Sequence, residues 1–314
     1  MVFTPSPRYP DPRVRTLDPS FARYVVGNAA VEQIADGGRW FEGPVWFGDQ
    51  AALLWSDIPN NRVLRFDVES GAVTEFHQDA NFSNGHTRDK TGRLISCEHQ
   101  TRRVTRTEYD GTITVLASHF NGKRLNSPND VVVTPDGAIW FTDPTFGIST
   151  HYEGGVETPE LPGQVYRVHP DTLEVTAVVT DMSQPNGLAF SPDASTLYVV
   201  ESGSPHGIRA YSVSDDLTAV SDGAVFVDAG EDGADGFRID TDGNLWCGWA
   251  GGDTNGVSGD GVRVFNPAGL LIGAIDLPER CANLVFGGRA RNRLFMTAST
   301  SVYSLYVNAQ GLPY

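Results

Sequence analysis

Residues 129–143 read Asn-Asp-Val-Val-Val-Thr-Pro-Asp-Gly-Ala-Ile-Trp-Phe-Thr-Asp. A polar residue opens the stretch, and a β-branched run follows. Asp136-Gly137 then supplies a turn pair that tolerates positive φ, and an apolar, aromatic run closes it. This is the pattern of two antiparallel strands joined by a tight hairpin. A lone hairpin is at best marginally stable in water, so its apolar faces require neighbours.

The neighbours are further copies of the same phrase. Glu42 leads to Leu54-Trp55, Asn84 to Leu94-Ile95, and Asn129 to Ile139-Trp140. Asn186 leads to Leu197-Tyr198, Asp235 to Leu245-Trp246, and Asn283 to Leu294-Phe295. The polar opener precedes the bulky residue by 11 to 13 positions, and successive openers lie 42 to 57 residues apart. Thr91-Gly92, Pro192-Asp193 and Asp242-Gly243 stand where Asp136-Gly137 stands. Each copy continues into a third alternating run, such as Gln164-Val-Tyr-Arg-Val, and a fourth, such as Val175-Thr-Ala-Val-Val. Four short strands in about 50 residues, repeated radially, predict an all-β fold: a six-bladed β-propeller with four-stranded antiparallel blades.

After Asn283 only three strands fit before Tyr314, so the run Val31-Glu-Gln-Ile-Ala is expected to supply the missing outer strand and close the ring. The domain reading is a Pro-rich N-terminal arm over residues 1–30 and a propeller over 31–314. Within the arm, Asp18-Pro19 to Gly27 predicts one short helix with Asp18 as its cap.

Composition excludes several function classes. The 314 residues carry 23 Lys+Arg against 39 Asp+Glu, a net charge of −16. A nucleic-acid binder requires a basic stripe, and an anionic membrane surface repels an acidic protein. Neither partner is expected; a monomer or homodimer acting on a small molecule is. No apolar run reaches the ~18 residues of a membrane helix, and the Pro-rich start is not a signal peptide. A cytoplasmic location is the expectation, and a periplasmic one if a leader precedes this sequence. Cys97, Cys247 and Cys281 form no C-x-x-C pair and read as buried free thiols.

The innermost strand of each blade lines the axis, and its opener is polar in all six copies: Glu42, Asn84, Asn129, Asn186, Asp235 and Asn283. Radial repetition converges two carboxylates and four amides on one end of the channel. Oxygen ligands with little charge suit a hard divalent cation, Ca²⁺ best, then Mg²⁺ or Mn²⁺, with Zn²⁺ and Fe²⁺ as remaining alternatives. The competing view is that Asn-Gly and Asp-Gly merely make turns. Glu42 is a poor turn former, however, and Asn129 is followed by Asp130. Other motifs carry less. Asp240-Thr-Asp-Gly-Asn resembles an EF-hand start but lacks the Glu at the twelfth position, so it reads as a turn. G-x-S-x-G, Walker and H-E-x-x-H motifs are absent.

The phrases Phe41-Glu-Gly-Pro-Val-Trp, Gly122-Lys-Arg-Leu-Asn-Ser-Pro-Asn-Asp-Val, Pro185-Asn-Gly-Leu-Ala-Phe-Ser-Pro-Asp and Asp235-Gly-Phe-Arg-Ile-Asp resemble the gluconolactonase family that includes regucalcin, over residues 40–305. The wording Asn-Ser-Pro-Asn-Asp resembles its bacterial gluconolactonase-like branch. The resemblance implies one catalytic divalent metal in a propeller channel, with Glu42, Asn129, Asn186 and Asp235 on the metal-site positions and Asp235 on the proposed general base. It also marks two departures. Ser127 stands where the animal branch carries a substrate-contacting Arg, and Gly147 where it carries a substrate-binding Glu.

The reading that follows is metal-dependent opening of a sugar lactone. The cation would polarise the carbonyl, and Asp235, or Asp143 or Glu201 nearby, would activate water. Asn84, His86, Asn126 and Asn283 are the expected hydroxyl partners, with Arg124 on the same loop. His86 enters because it stands two residues after Asn84 and so alternates back toward the channel. Two rivals are hydrolysis of a phosphotriester or another ester on the same metal, and a binding propeller without chemistry. The second leaves the two channel carboxylates unexplained.

Overall fold

The computed structural model describes residues 3–221, 223–251 and 259–313. Six antiparallel sheets follow one another as blades I to VI, each with its first strand innermost. The inner strands of blades I and II are Phe41–Phe47 and Ser83–Arg88. Those of blades III and IV are Val131–Val133 and Pro185–Phe190. Blades V and VI contribute Gly233–Ile239 and Cys281–Gly287. Glu32–Ala35 pairs with Val302–Tyr306 as the outermost strand of blade VI, so the ring closes as the strand count requires.

The arm is built into the propeller. Val14–Thr16 adds a fifth strand to blade V, with Val14 opposite Ile275. Asp18 caps a short 3-10 helix, Pro19–Tyr24, by accepting the Ser20 N–H at 2.9 Å. That helix places Phe21 5.7 Å from the Trp246 ring in the core between blades V and VI. Among the described residues no helix is long and apolar enough to cross a membrane. All three cysteines are free and buried.

In blades III, V and VI the repeated bulky residue of the second strand packs against the next blade. Trp140 meets Phe190 with ring centroids 5.2 Å apart, Trp246 meets Phe286 at 5.6 Å, and Phe295 stacks on Trp46 at 5.6 Å. These contacts join blades III to IV, V to VI and VI to I. The spacing of the repeat thus sets blade-to-blade packing.

The hairpins differ in one respect from the expected two-residue turns. Thr134 and Ala138 face each other across the loop, Gly137 N–H donates to Thr134 O at 2.8 Å, and only Gly137 takes positive φ, +92°. The loop therefore holds three residues. Pro135 pre-sets the first turn position, and the glycine takes the left-handed one. Asp240–Asn244 repeats the arrangement with Gly243 at φ +83°, which makes it a turn rather than a cation loop.

Candidate active site

Five of the six inner strands carry a β-bulge at the channel residue. The ladder slips between Glu42 and Val45, Ser83 and His86, Pro185 and Leu188, Ala234 and Phe237, and Cys281 and Asn283. In blade III the regular strand starts only at Val131, after Asn129. A bulge re-aims one side chain and ends the strict alternation of faces. Here it turns the polar openers toward the axis. The glycines that follow them are not turn makers. A Cβ on Gly85 would collide with the Asn129 carbonyl, and one on Gly187 with the Asp235 carbonyl. Their role is close approach, which lets neighbouring inner strands crowd together at the channel mouth.

Glu42, Asn84, Asn129, Asn186 and Asp235 line one cavity of about 390 Å³ at this end. All of the predicted metal positions are among them. Glu42 Oε2 accepts the Gly43 N–H and, at 3.0 Å, Nδ2 of Asn283, which anchors one carboxylate oxygen. Burial pushes Glu42 well above the ordinary carboxylate range, and the charges of Asp235 and Asp130 push it further. Burial likewise raises Asp235 to about 7; Arg280 and the Asn186 amide pull it down, while Glu153 and Asp130 push it up. Two buried carboxylates that raise each other's cost of ionisation, with amide oxygens beside them, form a donor set that fits a hard divalent cation. Among the described residues there is no group of three or more His, Cys, Asp or Glu arranged for a metal, so the amides would complete the coordination.

The remaining predicted residues divide. Asn84 faces the cavity, and its Nδ2 donates to His99 Nε2 at 3.3 Å. Glu201 also lines the cavity, but it accepts the backbone N–H groups of Ser183, Gln184 and Gly203 at 2.7, 2.8 and 2.7 Å, which makes it a loop cap. Asn283 lies behind Glu42 as its hydrogen-bond donor rather than in the cavity wall.

His86, Arg124, Asn126 and Asp143 do not line the cavity. The bulge shifts the phase after Asn84, so His86 lines a separate pocket at the other end of the inner strands. There it bonds Ser56 Oγ and Ser96 Oγ, both at 2.8 Å, and burial lowers its pKa to about 4. Asn126 and Asp143 form a buried pair, Asn126 N–H donating to Asp143 Oδ2 at 2.8 Å. Arg124 reaches the Thr101 carbonyl at 3.4 Å.

Sequence reasoning missed Trp40, Phe146, Glu153, His206 and Arg280, which complete the wall. Arg280 lies over the Trp40 ring at 5.9 Å. Trp40, Glu153 and Arg280 sit on loops and turns, Phe146 opens a 3-10 turn and His206 opens the third strand of blade IV; all lie outside the repeat phrase, so no periodic signal marks them. The two departures meet in space, because Gly147 N–H donates to Ser127 Oγ at 3.0 Å. A side chain at 147 would collide with the His99 ring, so this chain has no room there for an acid. No described residue of the N-terminal arm lines the cavity.

Comparison with known proteins adds an independent line. A model of the SMP-30/gluconolactonase/LRE-like region matches residues 40–300. A gluconolactonase from Zymomonas mobilis is 30% identical over 298 residues, covering 87% of this chain and 80% of that protein. A pentonolactonase from Haloferax volcanii is 26% identical over 268 residues, covering 83% and 82%. The solved structure of a Xanthomonas campestris gluconolactonase superimposes with a TM-score of 0.87 at 37% identity, over 98% of each chain.

Proposed function

The chain belongs to the SMP-30/gluconolactonase/LRE-like family, and on that premise we propose that it is a lactone hydrolase that opens sugar lactones with the help of a divalent cation. The observation that carries the reading is the pairing of Glu42 and Asp235, buried in one cavity with Asn129 and Asn186. Two carboxylates held in mutual repulsion next to neutral oxygen donors have no evident structural use, and Ca²⁺ is the cation their chemistry favours.

A bound cation would polarise the lactone carbonyl and offset the charge that develops on its oxygen. The chain's own groups supply the rest. Glu42 is fixed by Gly43 and Asn283, so its free oxygen keeps one position. Asp235 stands beside Asn186 and within the field of Arg280, and it is the group proposed to take a proton from the attacking water. Asn84 donates through Nδ2 to His99, so its Oδ1 is turned to the cavity, where it can accept a substrate hydroxyl.

Metal analysis and a lactone panel of gluconolactone, xylonolactone and arabinolactone, run on EDTA-stripped and metal-restored protein, test the reading. Turnover should vanish on stripping and return with the cation. Unchanged activity after stripping, with no metal bound, would remove the metal from the proposal. A phosphotriester run in parallel measures the rival ester chemistry.

A further inference from the structure

The 149–156 hairpin, built from Ser149–Thr150 paired with Gly155–Val156, roofs one side of the cavity. At its tip Glu153 turns its side chain into the cavity wall. Its carboxylate differs from the others there. Glu201 is saturated by backbone donors, and Glu42 and Asp235 belong to the cation set. The Glu153 carboxylate has no hydrogen-bond or ion-pair partner among the described residues, and burial alone raises its pKa. It is a strong acceptor with nothing to accept.

The backbone of Glu153 is nevertheless fixed. His99 is fully buried, and its Nδ1 donates to the Glu153 carbonyl at 2.9 Å. A carbonyl can only accept, so Nδ1 carries the proton and Nε2 is free to accept the Asn84 Nδ2–H at 3.3 Å. Burial lowers the pKa of His99 to about 4, which keeps the ring in this neutral state. The absence of a side chain at Gly147 makes room for the imidazole, and Gly154 lets the hairpin tip approach the Gly147 carbonyl. One ring therefore orients the Asn84 amide and fixes the backbone of the hairpin tip that carries the Glu153 carboxylate, two acceptor-bearing residues on the same cavity.

We propose that Glu153 is a specificity-determining residue whose carboxylate receives hydroxyls of a polyhydroxylated lactone, and that His99 is the positioning residue that holds Glu153 and Asn84 to that task. The proposal rests on the lactone reading for its substrate class but concerns recognition, not bond cleavage. A paired set of acceptors selects a ring with several hydroxyls against one with none, because charge-assisted hydrogen bonds form only with the former.

Binding of non-hydrolysable lactams separates recognition from turnover. D-glucono-δ-lactam carries the hydroxyls and 2-piperidone does not. With the metal-loaded protein, Glu153→Ala should weaken glucono-lactam binding roughly ten- to hundredfold and leave 2-piperidone unchanged. His99→Leu should follow it, and His99→Gln, which retains a donor and an acceptor, should restore binding toward the wild-type value. In turnover of gluconolactone the Glu153→Ala loss should appear in KM, with kcat largely kept. Equal weakening of both lactams, no weakening of either, failure of the wild type to prefer glucono-lactam, or a loss confined to kcat would overturn the proposal. Glu153-dependent lactam binding in a protein that hydrolyses no lactone would sustain it while defeating the hydrolase reading.

Discussion

Replacing Asp143 with Asn should stabilise this protein more at alkaline than at acid pH and leave lactone turnover intact. Asp143 ends the second strand of blade III, fully buried, and burial raises its pKa from 3.8 to about 7 against the pull of the Asn126 and Ser127 N–H groups and the Arg102 charge. Its Oδ1 and the Asn126 Oδ1 are both buried acceptors without a donor. A neutral, protonated Asp143 can supply that donor; an ionised one cannot. The folded-state pKa is raised, so the group's contribution is complete below pH 3.8 and is lost as pH rises through about 7. Integrating between the two pKa values gives a loss of about 2 kcal/mol at pH 5 and about 4 kcal/mol at pH 8. A carboxamide holds its N–H at every pH, so the stability of Asp143→Asn relative to wild type should be roughly 2–3 kcal/mol more favourable at pH 8 than at pH 5. Urea denaturation of both proteins at both pH values reads this double difference. His86 and His99, each pushed down to about 4, weaken the fold as pH falls below 6.5, but both are present in both proteins and cancel. A difference that does not change with pH would refute the burial argument, and loss of turnover would return Asp143 to the site.

Glu42→Ala and Asp235→Ala should each abolish stoichiometric metal binding and reduce turnover by about three orders of magnitude or more, as metal analysis and initial rates would show; full activity in either would defeat the proposed site. Gly85→Ala should lower the melting temperature and weaken metal binding together, because the added methyl displaces the Asn129 backbone; a neutral result would mean that the inner strands have slack. Phe21→Ala should destabilise by about 3–5 kcal/mol in denaturant titration without changing KM, because the arm packs on Trp246 and stays away from the cavity.

The repeat was legible because its signals are local. Hairpin residues, strand alternation and the bulky residue at a fixed offset lie within a dozen positions, and each copy reports independently. That Glu42, Asn129, Asn186 and Asp235 share one cavity was legible for the same reason, since each opens a repeat. His86 marks the limit. Its placement assumed unbroken alternation, and the one-residue bulge after Ser83 sent it to the other end of the channel. Asn126 and Asp143 lie next to the right phrase in sequence, yet they turn away from the axis into a buried pair of their own.

The sequence by itself determined the number of blades, the closing strand and the kind of atom that reaches the axis, because radial repetition converts a periodic residue into a ring. Only the tertiary structure decided which oxygens are free. Asn283 is spent on Glu42, Glu201 on a loop, and Asn84 is oriented by His99, all through contacts between segments with no sequence relation. The −16 charge likewise gave no hint that the carboxylates proposed to hold the cation are among the few that burial keeps from water. Solvation depends on what surrounds a group in space, and Glu153 and Arg280 reach this cavity from loops that the repeat does not encode.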